Sequence, residues 1–232
     1  MLTPARRRGS EFLDDPSLDP AVATRSLRDI ALANALFGGR RAVLAELDAH
    51  LRTAAARPDA PLTLLDVGTG LGDIPRAARA AATRLGVPLD TIGLEVTAPL
   101  AAAARPRAGL VLAADARSLP FPDASVDIVT CSQVLHHLDG DDAAALLAEL
   151  TRVARCGVIV SDLRRSWLAV GLLWCVSFPL GFHPVSRHDG VLSILRGFTA
   201  SELAHAVHGA TGVSPAVRHR LGWRVTAHWS RA

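Results

Sequence analysis

The chain has 232 residues, of which 50% are apolar and 20% charged. That is enough for one sizeable core, too apolar for a disordered polymer and too short for two full enzymes. The formal net charge is only +3, lysine and tyrosine are absent, and the arginines are scattered among acids, which argues against a nucleic-acid partner.

Residues 1–23 place acids, prolines and glycines around short apolar islands and are expected to form a flexible N-terminus ahead of a single domain spanning 24–232. Over 24–36, Leu27, Ile30, Ala31, Asn34 and Ala35 recur at helical spacing; Gly38 and Gly39 stop that helix, and a second follows over about 40–55. Residues 24–56 therefore read as a helical cap, and Pro58 and Pro61 mark the break after it. Beyond the break come short apolar strands near 62–67, 91–94, 110–113, 126–130 and 157–160, with helices between them, the longest near 141–155. Strands that alternate with helices need crossover connections, hence a mostly parallel sheet covered on both faces.

Residues 167–182 are apolar and nearly uncharged, and 183–196 are polar, rich in Arg, His and Ser. Thr199 and Glu202 have the spacing of a capping box that opens a helix. Stretches 213–217 and 223–229 read as closing strands joined near Gly222, one of them antiparallel at or near the edge. The expected fold is α/β: a doubly wound, mostly parallel seven-stranded sheet with N-terminal helices, a core over 60–161 and a helical insertion over 164–198 after strand five.

The chemistry concentrates at strand ends. Asp66-Val67-Gly68-Thr69-Gly70-Leu71-Gly72 closes the first strand and enters a helix, and glycines there let a ligand approach the backbone. The third glycine comes one residue too soon for the dinucleotide fingerprint, and no lysine follows as in a phosphate-cradling loop. A purely structural tight turn is the alternative. Glu95 ends the second strand, where a carboxylate can accept two ribose hydroxyls or simply be solvated. Asp115-Ala116 ends the third, an acceptor and a small residue suited to an adenine amine and ring; Asp127, at the start of a strand, reads as a fold-stabilising acid. Cysteines at 131, 156 and 175 have neither an even count nor ligand spacing, so no disulfide framework or metal site is expected. Arg6, Arg7, Arg8, Glu11, Asp14 and Asp15 leave no secretory h-region, and a cytoplasmic location is the expectation.

Taken in order, Asp-x-Gly-x-Gly-x-Gly, Glu95, Asp115-Ala116, Leu119-Pro120-Phe121-x-Asp123 and the run from Asp127 to His136-His137 resemble the class I S-adenosylmethionine-dependent methyltransferases, in particular the branch acting on quinones and other small molecules. The resemblance covers about 60–161, with a weaker echo at Arg196-Gly197-Phe198-Thr199. It implies a Rossmann-like methyltransferase fold, S-adenosyl-L-methionine as cofactor and S-adenosyl-L-homocysteine as product. It also implies that Gly68, Thr69, Gly70 and Gly72 surround the methionine part and that Asp66 fixes the loop. Glu95 would take the ribose, Leu94 or Val96 the adenine, Asp115 and Ala116 its amine and ring face, and Cys131, Ser132 and Gln133 the methionine side. Glu95 departs from the commoner aspartate, and its longer arm still reaches a ribose.

Methyl transfer from a sulfonium needs an acceptor held in line, water kept out and, for a hydroxyl, a base. The missing basic patch and the apolar insertion point to a small lipophilic acceptor methylated on a phenol-like oxygen. Carbon methylation of a quinone or polyketide-type precursor is the alternative, as is a cofactor-binding protein without turnover. His188 is the first candidate base, His183 the second and His137 the third, with Arg187 or Arg196 facing a phenolate; the bland reading of His136 and His137 is that they shape their loop. Residues 24–56 and 164–198 are expected to build the acceptor pocket together, with Arg28, Asn34 and Arg40 as possible polar contacts. For 167–182 three readings stand: an internal helix, a lid, or a surface dipping into a bilayer beside Arg164 and Arg165. The chain is expected to be a monomer or homodimer.

Overall fold

From Leu62 onward strands and helices alternate, and the computed structural model shows how each apolar strand is buried from both sides. It describes residues 3–15, 17–56 and 61–230; the break expected at Pro58 lies outside them. The strands are β1 Leu62–Val67, β2 Leu89–Glu95, β3 Leu110–Ala113, β4 Val126–Ser132, β5 Ala154–Leu163, β6 Ala216–Arg220 and β7 Arg224–Trp229. They form one seven-stranded sheet in the order β3-β2-β1-β4-β5-β7-β6. β1 pairs in parallel with β2 and β4, while β7 runs antiparallel between β5 and the edge strand β6.

Successive side chains of a strand point to opposite faces, and the core divides accordingly. Leu65, Val129, Val158 and Val160 meet α5 Gly140–Val153 and α8 Ala200–Thr211 through Leu146, Leu147, Leu150, Leu203 and Val207. Their neighbours Leu64, Ile128 and Ile159 meet α2 Gly39–Ala55 and α3 Asp73–Arg84 through Val43, Leu47, Leu51, Ile74 and Ala78. α4 Ala98–Ala108 covers β2 and β3. The capping box at Thr199 forms, with the Glu202 amide donating to Thr199 Oγ1 and the Thr199 amide to Glu202 Oε2.

Two expectations need correction, and the helical insertion after strand five gains detail. α1 Pro20–Leu36 begins earlier than the periodicity indicates, because Asp19 accepts the Ala21 amide at 2.7 Å and Pro20 suits a first helical turn. The polar stretch after Phe182 is a helix, α7 Pro184–Arg196, whose polar inward face is hydrogen-bonded rather than solvated: Ser186 Oγ donates to Asp29 and Ser193 Oγ to Glu11. Within the N-terminal segment expected to be flexible, Arg7 donates its amide to Leu195 O, and the amides of Phe12 and Leu13 donate to the Asp189 carboxylate at 3.0 Å each. Arg6 pairs with Asp139, and Glu11 and Asp14 face His136, His137 and Arg196, ties that composition alone does not reveal.

Candidate active site

The strand order reverses between β1 and β4, and in open α/β sheets ligands bind at the carboxyl ends of the strands on either side of such a point. The loop after β1 is shaped for close approach. Gly68 has φ +69°, and a side chain there would collide with Val134. Gly70 has φ +57° and nothing within 4 Å of where a Cβ would stand, so its missing side chain is open space above the backbone. Asp66 sits beneath and holds the turn, accepting hydrogen bonds from Thr69 Oγ1 at 2.8 Å and Thr130 Oγ1 at 2.7 Å. Glu95 reaches over from β2 to accept the Gly70 amide at 2.5 Å.

Three buried carboxyl groups thus crowd one turn. Burial pushes Asp66 up to about 7, against its two hydroxyl donors, and the charges of Asp73 and Glu95 push the same way. Burial likewise raises Asp73 and Glu95. Asp73 Oδ2 is buried without a hydrogen-bond partner among the described residues. A site with surplus acceptors and surplus negative potential, roofed by a bare glycine backbone, fits a ligand that brings positive charge and hydroxyl donors. S-adenosylmethionine, with its sulfonium, ammonium and ribose, is such a ligand.

A cavity of about 890 Å³ opens here. Gly68, Thr69, Gly70, Leu94, Glu95, Val96, Asp115, Ala116, Ser132 and Gln133 line it, and Asp73 joins them. Asp115 is fixed by Arg117, whose guanidinium holds its carboxyl below the usual range. Gly72 and Cys131 are not in the lining. A Cβ on Gly72 would stand 2.9 Å from the Ala108 amide, so this glycine serves the packing of α4 against the turn. Cys131 belongs to the core beneath β4, where burial pushes its thiol up.

The far side of the cavity is built from α1, α6 Trp167–Ser177 and α7, through Leu27, Ile30, Leu173 and Ser186, with Phe182 between α6 and α7. α2 does not share in it: its apolar stripe is committed to the sheet. Asn34 lines the cavity, holding Gln133 and Arg224, whereas Arg28 and Arg40 do not. His188, His183 and Arg187 are also absent from the lining. His188 stacks on Phe12 with centroids 4.7 Å apart and bonds Asp189 at 2.9 Å, half exposed on the outer side of α7. His183 caps α7 by accepting the Val185 amide, and Arg187 lies over the Phe178 ring at 4.4 Å. Each is a local structural partner at its own helix end or turn.

His137 does line the cavity, together with His136, Glu11 and Asp14, which pattern reading passed over. His136 is buried, with Nδ1 2.7 Å from Asp162 at the end of β5. Burial disfavours its charge, but Asp162 and Glu11 outweigh that and lift it to about 9. His137 Nδ1 is 2.9 Å from Asp14. Arg196 donates from Nε to the His136 carbonyl and lies behind the cluster rather than in the cavity. Glu11 and Asp14 fall in the segment expected to be flexible, and nothing local ties them to a loop after β4.

The pattern of the Methyltransferase domain family matches residues 65–161. An uncharacterized methyltransferase of Mycolicibacterium vanbaalenii is 32% identical over 158 residues, 68% of this chain and 55% of that protein. A demethylmenaquinone methyltransferase of Roseiflexus castenholzii is 37% identical over 125 residues, 50% of each chain. The chain thus spans about half the length of the curated relatives it matches. Among solved structures, an O-methyltransferase from neocarzinostatin biosynthesis, solved with S-adenosyl-L-homocysteine and 1,4-dihydroxy-2-naphthoic acid, superposes with a TM-score of 0.64 at 19% identity, covering 97% of this chain and 63% of that one. A SAM-dependent methyltransferase from Aquifex aeolicus gives 0.60 at 17%, covering 91% and 98%.

Strand order and glycine turn are those of the class I S-adenosylmethionine-dependent methyltransferase fold, and residues 65–161 match the Methyltransferase domain. Within that fold the chain is related to quinone-type methyltransferases, being 35% and 37% identical to two demethylmenaquinone methyltransferases over about half its length.

Proposed function

We propose that the protein methylates a small, largely apolar aromatic acceptor that carries a hydroxyl, with the ring carbon beside that hydroxyl as first nucleophile and the oxygen as second. One observation carries this reading: the same cavity is lined by the glycine turn, Glu95 and Asp115 on one side and by Leu27, Ile30, Leu173 and Phe182 on the other. Sequence reasoning favoured oxygen. Carbon moves ahead because the first two candidate bases, His188 and His183, lie outside the lining and only His137 is left on it, and because the relatives at 35% and 37% identity are demethylmenaquinone methyltransferases.

When bound, S-adenosylmethionine supplies an electrophilic methyl group and leaves as a neutral thioether. The chain's own part is to hold, orient and desolvate. Glu95 and Asp115 fix the nucleoside end, Asp73 and Ser132 offer buried unpartnered oxygens to the amino-acid end, and α1, α6 and α7 exclude water. A phenolic hydroxyl has a pKa near ~10, so the cluster of Glu11, Asp14, His136 and His137 on the cavity wall is where its proton or charge is handled.

The outer face of α6 suits delivery of such an acceptor. Trp167, Leu168, Leu172, Trp174 and Phe178 are exposed while Leu173 and Phe182 line the cavity, so one short segment joins the site to an apolar phase such as a bilayer surface. No helix among the described residues is long and apolar enough to cross a membrane.

The test is transfer from cofactor carrying a ¹³C-methyl group to hydroxylated naphthalenes, quinols and phenols, with the product's carbon shift placing the label. A ring C–CH₃ signal is expected, and O–CH₃ alone establishes the second choice. A protein that binds cofactor but transfers only to protein or RNA refutes the acceptor class.

A further inference from the structure

We propose that Glu11, His136 and His137 form a site for one divalent transition-metal cation of the zinc type, with an open coordination position toward the cavity. This inference stands apart from the choice of acceptor. Each residue offers one ligand atom, and the three atoms lie within 4.8 Å of one another. His136 Nε2 is 3.6 Å from Glu11 Oε1, and His137 Nε2 is 3.8 Å from Glu11 Oε2. These are too long for hydrogen bonds. They are close to the ~3.0–3.6 Å edges expected around one ion with bonds of roughly 2.0–2.2 Å.

What lies behind the two rings points the same way. His136 Nδ1 bonds Asp162 at 2.7 Å and His137 Nδ1 bonds Asp14 at 2.9 Å. A carboxylate on Nδ1 keeps the proton there and leaves the Nε2 lone pair free, which is how metal-binding histidines are oriented. Both Nε2 atoms then face the Glu11 carboxylate, and an ion bound among the three would stand in place of any proton that His136 Nε2 carries toward it. His136 Nε2 is buried and has no hydrogen-bond partner among the described residues. Glu11 is itself aimed by Ser193 Oγ, which donates to Oε1 at 2.8 Å.

The charges allow a cation. Glu11, Asp14, Asp162 and Asp189 surround the cluster, against Arg196, whose Nη1 is 3.6 Å from Glu11 and 3.5 Å from Asp14. Two imidazoles and a carboxylate suit zinc, manganese or iron(II) better than magnesium, which prefers oxygen throughout. All three residues line the cavity, so the remaining position faces the space where an acceptor hydroxyl would lie. The cysteine-based reading of the sequence could not reach this site, because its three ligands come from the N-terminal turn and the loop after β4.

The test uses the full chain without an affinity tag, stripped with chelator, loaded with Zn²⁺ or Mn²⁺, dialysed, and measured by elemental analysis and calorimetry. One ion per chain is expected. Asp14→Asn should weaken binding about 10–100-fold, and Glu11→Gln and His137→Ala by more than that. Binding of S-adenosylhomocysteine, measured in parallel, separates loss of the ion from misfolding and from failure of the methyltransferase reading. Substoichiometric metal in the wild type, or equal affinity in Glu11→Gln and His137→Ala, overturns the proposal. So does loss of the ion only in His228→Ala, which would place it on the His50–His228 pair, whose Nε2 atoms are 2.9 Å apart.

Discussion

The two walls of the cavity are made in different ways. The cofactor wall comes from strand ends that follow one another along the chain: Gly68 to Gly70, Glu95, Asp115 and Ser132. The acceptor wall comes from the N-terminal turn, α1, the loop after β4, α6 and α7, segments brought together only by folding. A wall made of consecutive strand ends tolerates no change at its bare backbone, whereas a wall made of distant segments depends on the few polar groups that tie them.

The largest effect should follow from breaking the first wall at its barest point. Gly70→Val puts a branched side chain into open space at φ +57°. Strain there costs about 1–3 kcal/mol, and cofactor affinity should fall more than ~100-fold because the side chain occupies ligand space. Thermal unfolding and calorimetry with S-adenosylhomocysteine read the two effects separately. Asp189→Ala breaks the second wall instead, leaving the amides of Phe12 and Leu13 without their acceptor. Stability should drop by about 2–4 kcal/mol, with faster hydrogen exchange at those two amides and cofactor affinity unchanged within about twofold. Equal damage to cofactor binding by both substitutions would mean that the two walls are not separable.

This contrast also explains what the sequence disclosed. The sheet, its seven strands and its mostly parallel order were legible because apolar runs and glycine turns are local signals, and so were the glycine turn and the strand-end acids Glu95 and Asp115 that line one cavity. Gly72 and Cys131 fit the same pattern, yet one packs against Ala108 and the other enters the core, since a motif does not say which way a side chain or an absent one points. The acceptor wall was misread for the opposite reason. His188 was the first candidate base, but its ring packs on Phe12 outside the cavity beside an Asp189 that also accepts the Phe12 and Leu13 amides, and pairs such as Glu11 with His136 have no local signature at all.

A pH titration sharpens the electrostatic half of the comparison. In the folded chain Asp66 is raised by burial to about 7 from 3.8, so the native state keeps a proton that the unfolded chain has released. Stability without ligand should therefore fall as pH rises from about 4 to about 7 and level off above it. A cationic ligand favours the ionised carboxylate, so cofactor affinity should rise with pH by up to roughly tenfold per unit below 7, and flatten in Asp66→Asn. Affinity that is flat in the wild type between pH 5.5 and 7.5 would remove Asp66 from the coupling. The smallest effect belongs to His188→Ala. Its ring is half exposed and outside the cavity, so turnover should change by less than about threefold and stability by about 0.5 kcal/mol. A loss of ~10²-fold would restore His188 as a base.

The most direct measurement is a structure of the protein with S-adenosylhomocysteine and a hydroxylated aromatic acceptor bound together. The account predicts the nucleoside between Glu95 and Asp115, and the acceptor ring between Ile30 of α1 and Phe182 beyond α6. The ring atom to be methylated should face the sulfur along the line of transfer, with its hydroxyl turned toward Glu11 and His137. An acceptor bound elsewhere on the surface, or a cofactor that leaves the Gly68–Gly70 backbone uncovered, would contradict it.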